Sequence, residues 1–211
     1  MAAAIAPADQ IVLLHNVSWG TYVRLLEDLG DHSSPRVTFD NGEMEIMSPT
    51  SEHEELNRTV ARFVEAVTAA LDLDIRSVGS TTFSREDLQR GFEPDSGFYI
   101  ESAPAIAGKT KLDLNTDPPP DLVIEIDISS RSLRKLPIYA ALGVREIWRY
   151  RSSKLDILLL DGNRYVEAEF SVAFPFVTGK DVLYFVDLSH TARLAAWMRA
   201  VADWTHSKAG Q

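Results

Sequence analysis

The stretch PPDLVIEIDISS at 119–130 carries the decision about the fold. Leu122, Val123, Ile124, Ile126 and Ile128 form a nearly continuous apolar run, the pattern of a strand buried on both faces, and Pro118, Pro119 and Pro120 ahead of it mark a loop. Glu125 interrupts the run. Between Ile124 and Ile126 its carboxylate is costly unless it points to the sheet's end, a cation or a donor. Asp127, two residues on, shares the face of Glu125 in a regular strand. A helical stretch over about 131–142 follows, stopped by Gly143, and then an apolar strand near 145–150. This order predicts an α/β fold in which a mixed central sheet is covered by helices.

Working outward, Ser18 to Leu29 reads as a first helix, with Tyr22, Leu25, Leu26 and Leu29 on one side and Gly30 as its stop. Val37 to Phe39, the turn Asp40-Asn41-Gly42, and the alternation through Met44 and Ile46 read as a hairpin. Ser51 with Glu54 predicts a capping box, opening a helix marked by Leu56, Val60, Phe63, Val64, Val67 and Leu71. Further strands are expected near 74–83, 96–101, 155–160 and 164–169, and a last helix from about Asp187 or Ser189 through Leu194, Trp197, Met198 and Val201. The 211 residues suit one domain, with a core over about 18–204 and the ends 1–10 and 206–211 outside it.

Composition removes several classes of function. Without cysteine the chain has no disulfide framework, thiolate metal site or cysteine nucleophile. No apolar run is long enough for a signal or membrane helix, and the expected location is the cytoplasm. There is no GxxxxGK[ST] loop, GxGxxG fingerprint, HExxH site or GxSxG elbow, so no nucleotide cofactor is expected. A net charge of −10 repels nucleic acid at long range unless basic residues gather locally.

They do gather. Residues 86–130 hold ten acids against three bases, whereas 131–151 hold six bases against Glu146 alone. Asp95, after Pro94, and Glu125 are the acids at strand-like positions; if they converge across adjacent strands they can hold Mg²⁺ or Mn²⁺, which prefer oxygen ligands. An acidic centre beside a basic helix and strand is what phosphodiester chemistry needs, although the same bases also suit the solvated face of a helix. Tyr139 and Trp148 fit core packing better than base stacking. Trp197 and Met198 offer an interface if the chain is a structural homomer.

MEIMSPTSEHEELN at 44–57, FEPDSGFYI at 92–100, PPDLVIEIDISS at 119–130 and RSLRKLPIYAALGVREIWRY at 131–150 together resemble, in order, the Uma2 family, also called DUF820. Its members have the restriction-endonuclease-like PD-(D/E)xK nuclease fold, and the likeness covers about Ser18 to Tyr165. The resemblance implies a metal-dependent DNA endonuclease. Asp95 and Glu125 match the metal-binding acids, joined by the backbone carbonyl of Ile126, and Glu54 matches a helix-borne acid that also suits capping. The triplet Glu125-Ile126-Asp127 departs from the general motif, because an acid stands where a lysine is usual. Lys135 matches the family lysine, with Arg134 as its competitor. Asp127 is a further site acid or a partner of Lys135; His53 reaches phosphate or serves as an ordinary helix-start residue. The same resemblance implies DNA as a partner and a homodimer, and the net charge of −10 implies that DNA is bound selectively. The altered triplet keeps open a second reading, a catalytically inactive or specialised nucleic-acid-binding or protein-interaction module on the same fold.

Overall fold

The structure, a computed structural model, describes residues 9–30, 34–128 and 133–210. Its elements begin with β1 (Gln10–Leu14), α1 (Trp19–Leu29), β2 (Arg36–Asp40), β3 (Glu43–Ser48), α2 (Ser51–Ala70), β4 (Arg76–Gly79), β5 (Phe83–Arg85) and β6 (Arg90–Phe92). There follow β7 (Ser96–Tyr99), β8 (Leu122–Asp127), α3 (Lys135–Leu142), β9 (Glu146–Arg151), β10 (Lys154–Asp161), β11 (Arg164–Ala168), α4 (Gly179–Ser189) and α5 (Leu194–Ala209).

Two sheets result. The central one is six-stranded, ordered β11-β10-β9-β8-β7-β4, and is mixed because β8 and β9 run parallel while its other pairs are antiparallel. The parallel pair is joined through α3, as the sequence predicts, and residues 131 and 132 of the expected helix lie outside the described residues. The second sheet, β1-β3-β2-β6-β5, enlarges the predicted hairpin into five antiparallel strands. In the hairpin turn Asn41 and Gly42 take φ values of 49° and 94°, which is why Asn-Gly belongs there.

The strands of the central sheet alternate as pleating requires. Leu122, Ile124, Ile126 and Trp148 enter one core with Phe63, Val64, Val67, Phe185 and Trp197, beneath α2, α4 and α5. Val123 and Ile147 enter the other core, with Ile138, Tyr139 and Leu142 of α3. Trp148 and Tyr139 are therefore packed residues. Each large side chain buried in this way contributes about 1.5–3 kcal/mol.

Three expectations need correction. The cap of α2 is Thr50, whose hydroxyl accepts from the N–H of His53, so the Ser51–Glu54 capping box does not form and the Glu54 carboxylate is turned elsewhere. The stretch 74–83 divides into β4 and the start of β5, which belong to different sheets. The last helix is two, α4 and α5; the sequence concealed α4, although Thr178 and Asp181 cap it reciprocally. Strands β1 and β6, which no apolar alternation marks in the sequence, are defined by their sheet partners.

Candidate functional site

The chain passes from the second sheet to the central sheet at Glu93-Pro94-Asp95, between β6 and β7. Proline has no N–H to continue a ladder, so the strand breaks there and the carboxylate of Asp95 turns inward. The side chain of Asp95 is 0% exposed. Asn57 donates to its backbone carbonyl at 3.0 Å, and Ser96 donates in turn to the Asn57 amide oxygen at 2.9 Å. His53 and Asn57, four residues apart, present one face of α2 to this point.

Both oxygens of Asp95 are taken. Oδ2 accepts the N–H of Ile126 at 2.6 Å, while Oδ1 pairs with Arg36 Nη1 and lies 3.0 Å from His53 Nε2. Ile126 thus brings its N–H to the acid that its carbonyl was expected to accompany. Arg36, at the head of β2, also places Nη2 on Glu54, so one guanidinium spans the two acids. The other ring nitrogen of His53 lies 3.0 Å from Asp9, which also accepts the Thr50 N–H.

Glu125 projects from β8 at the foot of the same cluster. Lys135 donates to Oε2 at 3.0 Å from the first turn of α3, and the Tyr139 hydroxyl, one turn on, donates to Oε1. Of the two neighbours, Lys135 faces the acid, while Arg134 is exposed. Asp127 lies on the same face of β8 as Glu125 and lines the groove beyond it. Asp121 is remote from the cluster and holds the 100–102 turn through the N–H groups of Ile100 and Ser102.

Burial and charge work against each other here. Burial pushes the Asp95 carboxyl up, but the His53 hydrogen bond and the charges of Arg36 and Lys135 prevail and bring it down to about 2. Burial dominates at Glu125 and leaves it above the ordinary carboxylate range. Burial also disfavours charge on Lys135, yet Glu125 and Asp95 outweigh it and hold the ammonium well above its usual value. His53 is likewise raised against the pull of burial by Asp95 and Asp9.

A divalent ion does not fit this donor set as it stands. Asp95 and Glu125 already carry a donor on every carboxylate oxygen, and the guanidinium of Arg36 fills the place between Asp95 and Glu54. Among the described residues no group of three or more His, Asp or Glu is arranged to hold a metal ion.

The cluster opens into a groove of about 1320 Å³. Ile11, Glu45 and Met47 of the second sheet form one wall. Register places Arg149 opposite Glu125 and Arg151 opposite Asp127, carrying charge across the sheet into β10, where Asp156 lies 3.2 Å from Arg149. Arg134, Arg151 and Arg164 also line it, are exposed, and make no ion pair among the described residues. Sequence reasoning missed Arg36, Asp9 and the hydroxyl of Tyr139. The available signal for Arg36 was a charge in phase with Thr38 at the head of a strand whose other face carries Val37 and Phe39.

Among the described residues no helix is long and apolar enough to cross a membrane. Comparison with curated proteins finds no match. Solved structures similar to the chain include the crystal structure of "a putative nuclease belonging to DUF820" from Anabaena variabilis ATCC 29413. The identity is 12% and the TM-score 0.54, over 80% of this chain and 98% of that one, a likeness that shows the α/β restriction-endonuclease-like fold. The model of the family described as "Uma2: Putative restriction endonuclease" matches residues 19–189, which contain Arg36, Glu54, Asp95, Glu125 and Lys135, and the chain belongs to that family.

Proposed function

We propose that the chain is a specialised DNA-binding protein on the nuclease fold, holding a selected DNA by its phosphates in the groove beside Glu125. The observation that carries this reading is a contrast within the groove. Glu125 and Asp156 on its floor are compensated by the chain's own donors, whereas Arg134, Arg151 and Arg164 on its walls have no anionic partner among the described residues. Arginines placed in this way offer forked donors to phosphate oxygens. The net charge of −10 opposes indiscriminate association and favours partners that engage the groove itself.

Fluorescence anisotropy with double-stranded, single-stranded and branched DNA tests this in EDTA. Binding is expected without divalent ions and should weaken about tenfold or more in the Arg134→Gln/Arg151→Gln/Arg164→Gln variant, with a salt slope shallower by up to about 3. Equal affinity in variant and parent, at equal thermal stability, would remove the groove from the reading.

One observation favours a second reading, a Mg²⁺- or Mn²⁺-dependent DNA endonuclease: Asp95, Glu125 and Lys135 meet at one end of the central sheet, with Glu54 reached through Arg36. Under it the metal supplies charge at the scissile phosphate, and Arg36 has to leave Glu54 and Asp95. Cleavage of the same DNA with either ion, abolished in both Asp95→Ala and Glu125→Ala, would establish it over the binding reading. A homodimer, which the family resemblance implies, is tested by light scattering across a dilution series.

A further inference from the structure

Arg36 is 4% exposed, yet its guanidinium is not fully satisfied, since Nε is buried without a hydrogen-bond partner. Burying an unpaired donor is costly. What offsets this cost is at the other end of the group. Nη1 meets Asp95, whose side chain is 0% exposed, and Nη2 meets Glu54, whose side chain is 42% exposed. The two acids come from different elements, the entry to β7 and the first turn of α2, and among the described residues no other side chain contacts both. Bridging two carboxylates from separate elements is the task a divalent ion performs in an acidic site. Arginine performs it with a charge it does not lose and without dissociating.

We infer that Arg36 is a tethered counter-cation standing in the position of a divalent ion between Asp95 and Glu54, so that the centre holds together without metal and becomes a divalent-ion site when the guanidinium is removed. The partly exposed Glu54 provides the entry, and Asp95 the inner ligand. The alternative cations near Asp95 do not substitute for Arg36: His53 is held between Asp95 and Asp9, and Lys135 is committed to Glu125. The inference rests on the compensated centre and not on the arginines of the groove, so it stands or falls separately from DNA binding.

The test is calorimetric titration of the purified full chain with Mn²⁺ alone. Wild type should show no saturable site, Arg36→Met should gain one at least about tenfold tighter than any residual wild-type binding, equivalent to about 1.4 kcal/mol, and Arg36→Met/Asp95→Asn should lose it. If Arg36→Met is unfolded without metal, Mn²⁺ should restore its cooperative melting transition; Arg36→Gln, which keeps a donor but no charge, is titrated in parallel. Tight Mn²⁺ binding by wild type that Asp95→Asn abolishes overturns the inference. So does a folded Arg36→Met or Arg36→Gln that takes up no Mn²⁺, or an unfolded Arg36→Met that Mn²⁺ does not restore.

Discussion

Glu125 and Glu146 lie on neighbouring strands, are 7% and 1% exposed, and are compensated in opposite ways. Glu146 is held by dipoles: the Trp148 indole donates at 2.6 Å to one oxygen, and the backbone N–H groups of Val172 and Ala173 donate to the other at 2.9 and 3.0 Å. Glu125 is held by an ammonium and a phenol on a helix. The first arrangement fastens the loop before α4 to the sheet and leaves nothing to exchange. The second sits at a groove, and its partners are side chains that can turn. Burial alone therefore does not set the two acids apart; the kind of donor does.

The largest expected effect breaks the dipole-held side. Glu146→Ala strands three donors and opens a void, and should cost about 4 kcal/mol in urea denaturation. A loss below about 1 kcal/mol would mean that the loop finds other acceptors. On the charge-held side, Lys135→Met leaves Glu125 without its cation and should cost about 3 kcal/mol, whereas Glu125→Leu/Lys135→Met should recover most of that, because a buried ion pair is often replaceable by apolar residues of similar size. No recovery in the double variant would erase the distinction between the two acids.

Acidity sharpens the comparison further. Asp95, brought to about 2 from an ordinary 3.8, stabilises the fold above pH 4 and loses that contribution as pH falls through 2. Roughly 2 kcal/mol should disappear over that interval in wild type and not in Asp95→Asn, read from denaturation midpoints at successive pH values. Glu125, raised by burial, acts with the opposite sign and at higher pH, since its protonation favours the folded state. The smallest effect belongs to an ion pair in water. Arg145 lies 2.6 Å from Glu101, their side chains 56% and 76% exposed, and Glu101→Ala should change stability by about 0.5 kcal/mol or less.

Much of this was legible beforehand. The apolar run around Glu125, the Asn-Gly hairpin and the Gly143 stop give the strand, turn and helix that frame the site, because each is a local rule. The acids Asp95 and Glu125 and the lysine that answers one of them were legible through the family motifs. Arg36 and Asp9 were not, because their roles arise only when the second sheet meets the central one and no local pattern encodes that meeting. Glu146 was passed over for a related reason: beside Arg145 at a strand's start it reads as a solvated charge. The α2 cap was misassigned by one residue, and with it the role of Glu54, since Thr50 and Ser51 are equally good caps on chemistry alone.

The passage Glu93-Pro94-Asp95 between the sheets also bears on the order in which the molecule comes together. Arg36 and Asp95 are 59 residues apart in the chain, Lys135 and Glu125 only 10. During synthesis Arg36 and His53 emerge ahead of Asp95, so its counter-charges are waiting when it arrives. Glu125 emerges ahead of Lys135, and strand β8 can bury its acid at low cost only once the next helix has left the ribosome. Contacts of long separation form more slowly than local ones, and the nascent chain carries Glu125 in water until the basic stretch that follows it is made.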